Sequence, residues 1–116
     1  MNGQEFAKYI DLEGGLARVR GNQKLYTRML QMFLDSKELG AFVEAVAAGD
    51  NAHAAEVIHG IKGMTGNLSL TAVFETSMAL MNSLRNGVLE EDMLTAYREA
   101  LEVTKRLVKE FIEQPQ

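Results

Sequence analysis

One run of side chains in this sequence carries evident chemistry: His59-Gly60-Ile61-Lys62-Gly63. Imidazole has an unperturbed pKa of about 6.5. Much of it is neutral at physiological pH, ready to attack an electrophile, relay a proton or ligate a metal. Residues 50–68 fit a helix, and at about 100° per residue their positions around it follow directly. With His59 at zero, Ala54, Val57, Ile58, Ile61, Met64 and Leu68 gather on the opposite side. Ala52, Ala55, Gly63 and Gly66 fall within about 40° of His59, with Lys62 about 60° to one side and Glu56 about 60° to the other. The expectation is a histidine facing water or a partner, among small residues that let another surface approach closely. Glycine inside a helix costs roughly 1 kcal/mol relative to alanine. Gly60, Gly63 and Gly66 therefore need a reason other than helix stability.

The other histidine, His53, lies about 120° from His59. It reads as a boundary residue that hydrogen-bonds locally. Glu56-Val57-Ile58-His59 has the Glu-x-x-His spacing of carboxylate-bridged di-iron bundles. Such a site needs a second copy of the motif on another helix, with all ligands pointing inward. His53 is on the same helix and His59 points outward, so no metal site is expected. Two further readings are a merely solvated histidine and an adaptor that docks a partner helix on the small residues. The first leaves the glycines unexplained and the second leaves the histidine unexplained.

Composition narrows the classes. The chain has 116 residues, enough for one domain, and 47% of them are hydrophobic, enough for a core. A net charge of −4 argues against nucleic acid as partner, which calls for a concentrated basic patch. There is no cysteine, which removes disulfide and thiolate chemistry. No stretch is long and apolar enough for a membrane span, and the first residues lack the basic start and apolar run of a signal peptide. The expected location is the cytoplasm, either as a free-standing protein or as the cytoplasmic part of a membrane-bound one.

The elements that must position His59 follow from periodicity and punctuation. Residues 4–10 form a short helix anchored by Phe6, Tyr9 and Ile10. Asp11 caps a turn running to about Arg20, with Gly21 as its stop. A rod starts near Asn22, with Leu25, Met29, Met32 and Phe33 as its buried stripe. Asp35 and Glu38 have the spacing of a capping box, which marks a break there. Leu39, Phe42, Val43 and Val46 continue the apolar face to Gly49, and Asp50 or Asn51 caps the histidine helix. Leu70, Val73, Ser77, Leu80 and Leu84, thickened by Phe74 and Met81, form the next stripe, stopped at Asn86-Gly87. Leu94, Tyr97, Leu101, Thr104, Val108 and Phe111 form the last. That helix opens with Glu90, Glu91 and Asp92 and closes with Lys105, Arg106 and Lys109, matching the macrodipole. The seven methionines read as core filling. Short connections favour antiparallel neighbours. The expected architecture is all-α: an antiparallel up-and-down four-helix bundle with short additional N-terminal helices. Residues 1–21 are the lead-in, 22–113 the bundle and 114–116 the tail.

The segment from about residue 50 to 87 resembles the histidine-containing phosphotransfer (HPt) domain of multistep phosphorelays. The resemblance rests on His59 with Lys62 at +3 and Gly63 at +4. Asp11-Leu12-Glu13-Gly14-Gly15-Leu16-Ala17-Arg18 is similar to the family's lead-in, so the likeness covers most of the chain. It implies a phosphocarrier in two-component signal transduction, not an autonomous enzyme. His59 would take a phosphoryl group from an aspartyl phosphate of one receiver domain and pass it to the aspartate of another. Lys62 would stabilise the phosphoryl charge, Gly63 would leave it room, and Ala52, Ala55, Glu56 and Gly66 would help seat the receiver. The implied partners are receiver domains of a hybrid sensor kinase or a response regulator. They would bring the Mg²⁺, and this chain would need no cofactor and hydrolyse no ATP. The alternative is an adaptor that binds a receiver without accepting phosphate. Ser69 stands where the family often has a helix-ending glycine. Either Asn67 or Ser69 takes the left-handed position, or Ser69 caps the following helix.

Overall fold

The computed structural model describes residues 3–114; Met1, Asn2, Pro115 and Gln116, and with the last two most of the expected tail, lie outside the described residues. Among the described residues seven helices follow one another: α1 (Gly3–Tyr9), α2 (Leu12–Arg18), α3 (Gln23–Leu34), α4 (Lys37–Ala47), α5 (Asn51–Asn67), α6 (Thr71–Arg85) and α7 (Glu91–Glu113). Among the described residues there is no strand, and no helix is long and apolar enough to cross a membrane.

Side-chain caps fix where most of these helices start. Asp11 Oδ1 accepts from the Gly14 N–H at 3.0 Å, Asn22 Oδ1 from Leu25 at 3.0 Å and Asp50 Oδ1 from His53 at 3.1 Å. Each satisfies a helix N–H that has no partner within its own helix. The break between α3 and α4 is real, but the Asp35–Glu38 box does not form. Ser36 is the N-cap, its Oγ accepting from the Glu38 N–H at 3.3 Å. Asp35 closes α3 and accepts from Gln31 Nε2 at 3.3 Å. The Ser36 hydroxyl is one residue nearer the helix and wins the cap.

Helices α4, α5 and α6 end in the same Schellman geometry. Asp50 N–H donates to Ala45 O after α4, Leu70 N–H to Thr65 O after α5 and Val88 N–H to Ser83 O after α6. The left-handed residue is Gly49 (φ 71°) in the first and Gly87 (φ 80°) in the third. In the second it is Ser69 (φ 57°), which takes the duty that a glycine would fill without strain.

The buried stripe of α3 is Tyr26, Leu30 and Phe33, one position round from the expected one. Leu25 is 38% exposed and Met32 65%. Tyr26 turns inward because its hydroxyl, donated at 2.7 Å to Leu68 O, has a buried partner. Burial, with the nearby charge of Asp11 adding to it, pushes the Tyr26 pKa up to about 12. On α4, Leu39, Phe42 and Ala45 are buried while Val43 faces out. The methionines are not uniformly core: Met32, Met78 and Met93 are exposed and Met81 is buried.

In space α5 lies between α4 and α6, α7 packs on α6, and α3 meets α7. Phe42 meets the Tyr97 ring edge-on at 5.2 Å. Burial pushes the Tyr97 hydroxyl's pKa up as well. The bases of α7 stop short of its last turn. Arg106 reaches back to Glu5 of α1 at 2.9 Å, a bond that raises its pKa. The Phe6 ring lies tilted against that of Phe111 at 6.0 Å, so α1 is held across the end of α7.

Candidate functional site

Helix α5 presents His59 because its other face is fully committed. Ala54, Ile58 and Ile61 are completely buried. Each apolar side chain sunk into such a core contributes roughly 1.5–3 kcal/mol relative to exposure, so the helix has one stable rotation. His59 is exposed in that rotation, as its spacing indicates.

The neighbour of α5 on this side is α6, running the opposite way. His59 meets Met81, with Nδ1 3.4 Å from the thioether sulfur. Seven residues on, Gly66 meets the ring of Phe74, seven residues earlier on α6. Phe74, Met78, Met81 and Arg85 repeat at helical spacing, so one stripe of α6 borders the histidine face.

Two clefts open beside this seam. The first, about 550 Å³, is lined by His59 with Ala52, Ala55 and Glu56 of α5 and by Leu84, Arg85 and Gly87. The second, about 470 Å³, is lined by Lys62, Gly63, Gly66 and Asn67, with Arg18 of α2 and Phe74 of α6. The expected site residues thus divide. Ala52, Ala55 and Glu56 share the histidine's cleft, while Lys62, Gly63 and Gly66 line the next one along the helix. Ala55 is only 8% exposed, so its wall of the cleft is half core. His53 is exposed, its Nδ1 3.8 Å from Glu56 Oε2; this is a surface pair worth little.

The three glycines of α5 have three different surroundings. A methyl on Gly60 would run into the carboxylate of Glu38, so α4 uses that gap. One on Gly66 would stand 3.1 Å from the Phe74 ring, so α6 uses that one. One on Gly63 would meet nothing within 4 Å. Gly66 is therefore a packing residue, contrary to the open patch expected from spacing, and Gly63 alone leaves free space.

The C-terminal end of α5 is tied from outside the α5–α6 hairpin. Leu68 O accepts from the Tyr26 hydroxyl, and Ser69 O accepts from the Asp11 N–H at 2.9 Å. Thr65, completely buried, returns its hydroxyl to Ile61 O at 2.8 Å. These bonds hold the turn that sets the approach of α6 to His59.

Sequence reasoning missed Arg85, Arg18 and the Met81 contact. Their signal is not local, since only the antiparallel pairing of α5 with α6 and the fold-back of α2 bring them here. Among the described residues, no group of three or more His, Asp or Glu stands ready to hold a metal.

An exposed imidazole, a cation on either flank and one bare glycine make a surface suited to receiving an anion delivered by another molecule. The sequence model of the Hpt domain matches residues 28–113, a span that contains α4 to α7 and all of the surface just described except Arg18. No curated protein and no solved structure matches the chain. The family match extends over most of the length, and the chain belongs to the Hpt domain family.

Proposed function

We propose that His59 is the phosphoacceptor of a phosphorelay, taking a phosphoryl group from an aspartyl phosphate on one receiver domain and returning it to the aspartate of another. Membership of the Hpt family implies histidine phosphotransfer within phosphorelays. The observation that carries the assignment to this residue is the pairing of an exposed His59 with Gly63, whose missing side chain leaves open space one turn away. In this reading α3 with α4, α5, α6 and α7 are the four arms of an antiparallel bundle, and α1 and α2 are its lead-in. The receiver docks on the α5–α6 face, over Ala52, Glu56 and Gly63 and the exposed Met78. Its own Mg²⁺ and acidic cluster serve the aspartate. Lys62, and Arg85 in the histidine's cleft, supply positive charge for the phosphoryl oxygens. Such transfer depends on positioning and charge stabilisation more than on covalent machinery, and the chain acts as a carrier without kinase activity. The partners are receiver domains of a hybrid kinase or a response regulator, and the setting is the cytoplasm.

Incubation with a phosphorylated receiver tests this. Acid-labile label should appear on the parent and vanish in His59→Gln, with the helical fold unchanged because His59 lies outside the core. Labelling of His59→Gln, or labelling that requires His53, would overturn the assignment. Receiver binding without any label would make the chain an adaptor.

A further inference from the structure

We propose that Met81 is a positioning residue for His59: its thioether accepts the Nδ1–H and so leaves the Nε2 lone pair as the nucleophile. This rests on the phosphoacceptor reading above and adds to it which residue orients the ring. The geometry is specific. Nδ1 stands 3.4 Å from the Met81 sulfur, inside the range in which sulfur accepts a hydrogen bond. Met81 is 5% exposed and sits on α6, whose register against α5 is fixed by Gly66 and Phe74. The sulfur is therefore enclosed by packing, unlike those of the exposed methionines Met32, Met78 and Met93.

The chemistry of the partner decides the tautomer. A thioether accepts and has no hydrogen to donate. Neutral imidazole carries one N–H, and the nitrogen engaged by an acceptor is the one that keeps it. With Nδ1 protonated against sulfur, Nε2 is the bare nitrogen of a ring that lines the first cleft. Histidine in water prefers the opposite tautomer, with the proton on Nε2, so the contact reverses the default. The thioether also carries no charge, so it orients the ring without holding it as imidazolium, the form that has no lone pair to offer.

The transfer step balances without proton movement. The Nε2 lone pair forms the bond to phosphorus as the bond from phosphorus to the aspartyl oxygen breaks. That oxygen leaves with its electron pair as carboxylate. The Nδ1 proton stays against Met81, so the phosphorylated ring is cationic and leaves readily when the next aspartate attacks. Onward transfer is the same step reversed.

The test uses the whole chain and two variants, Met81→Leu and Met81→Gln. Leucine keeps the volume, so the fold survives, but removes the acceptor; the glutamine amide oxygen restores one. Proton–nitrogen correlation spectra of the neutral imidazole should show Nδ1–H in the parent and in Met81→Gln and mostly Nε2–H in Met81→Leu. Transfer from a phosphorylated receiver should slow in Met81→Leu by roughly two- to tenfold, the factor that one neutral hydrogen bond is worth. Its dependence on receiver concentration should not change, and Met81→Gln should recover the rate. An Nε2–H tautomer in the parent, or a leucine variant with unchanged tautomer and rate, would overturn the proposal. A parent with the Nδ1–H tautomer that nonetheless takes no label would leave Met81 orienting the ring and overturn the phosphoacceptor reading instead.

Discussion

Gly66 lies against the ring of Phe74, where an added methyl would stand 3.1 Å from two ring carbons, while Gly63, less than one turn earlier, faces open space. Two glycines of equal rank in the sequence thus have different surroundings, one closing the α5–α6 seam and the other facing open space.

Paired substitutions separate those roles. Gly63→Ala should stabilise the free domain by roughly 0.5–1 kcal/mol, the ordinary helical gain. Gly66→Ala should gain less, and Gly66→Leu should cost roughly 1–3 kcal/mol through overpacking on Phe74. Gly63→Leu should be at least as stable as the parent yet strongly impaired in receiver-dependent labelling. Denaturant melts and transfer rates on the same samples check both halves. Parent-rate transfer by Gly63→Leu would remove that residue from the docking face.

Lys62 is half-buried on the wall of the second cleft. Lys62→Ala should shorten the lifetime of the phosphohistidine or slow its formation, since positive charge one turn away favours the phosphorylated state. Partly solvated charge pairs are worth roughly 0.2–1 kcal/mol, so the effect should stay within about fivefold. Rates in both directions and the decay of isolated phosphoprotein measure it. No change in any of the three would reduce Lys62 to a surface charge.

Ser69→Gly should raise the melting temperature. The left-handed conformation at Ser69 costs a non-glycine residue roughly 1–2 kcal/mol. Glycine recovers this, less the greater freedom it has in the unfolded chain. The net expectation is a gain of roughly 0.5–1 kcal/mol. Loss of stability would mean that the Ser69 hydroxyl, close to Gly14, is worth more than the relief of strain.

Stability should fall at alkaline pH. Tyr26 ionises at about 12 in the folded chain against 10.0 when unperturbed, and Tyr97 shifts in the same direction. Below about pH 10 both states keep the phenolic proton and the contribution is fully present. Above it the unfolded state releases protons that the native state holds, so stability drops as pH rises through the folded pKa. Tyr26→Phe should flatten part of that decline. It should also cost roughly 1–2 kcal/mol at neutral pH, because Leu68 O loses its donor. Urea unfolding from pH 7 to 11.5 gives both numbers, and an unchanged alkaline slope would assign the decline to Tyr97 alone.

The sequence carries its local punctuation plainly. Asp11, Asn22 and Asp50 cap as their types and positions indicate, and Gly49 and Gly87 end helices by the left-handed route. The apolar faces of α5 and α6 are legible because each has a single strong stripe. On α3 two stripes compete, Leu25-Met29-Met32 and Tyr26-Leu30-Phe33, at the same spacing. The choice is made by the carbonyl of Leu68, distant in the chain. The cap at Ser36 rather than Asp35 turns on a one-residue difference in reach. At the site, the outward direction of His59 follows from periodicity alone. What touches it does not. Met81, Arg85 and Arg18 enter through pairing between helices, and the surroundings that distinguish Gly60, Gly63 and Gly66 belong to α4, solvent and α6 in turn.

The bonds at Leu68 O and Ser69 O reach beyond their local geometry. Both donors, Tyr26 and Asp11, lie upstream of the stretch that marks the family, which starts at residue 28. A fragment trimmed to that boundary would keep every residue of the histidine's own helix and still strip two carbonyls at its far end of their protein donors. Unwinding would begin there and pass Lys62 and Gly63 before it reached His59. A piece that keeps both donors starts no later than Asp11, well ahead of the stretch by which the family is recognised.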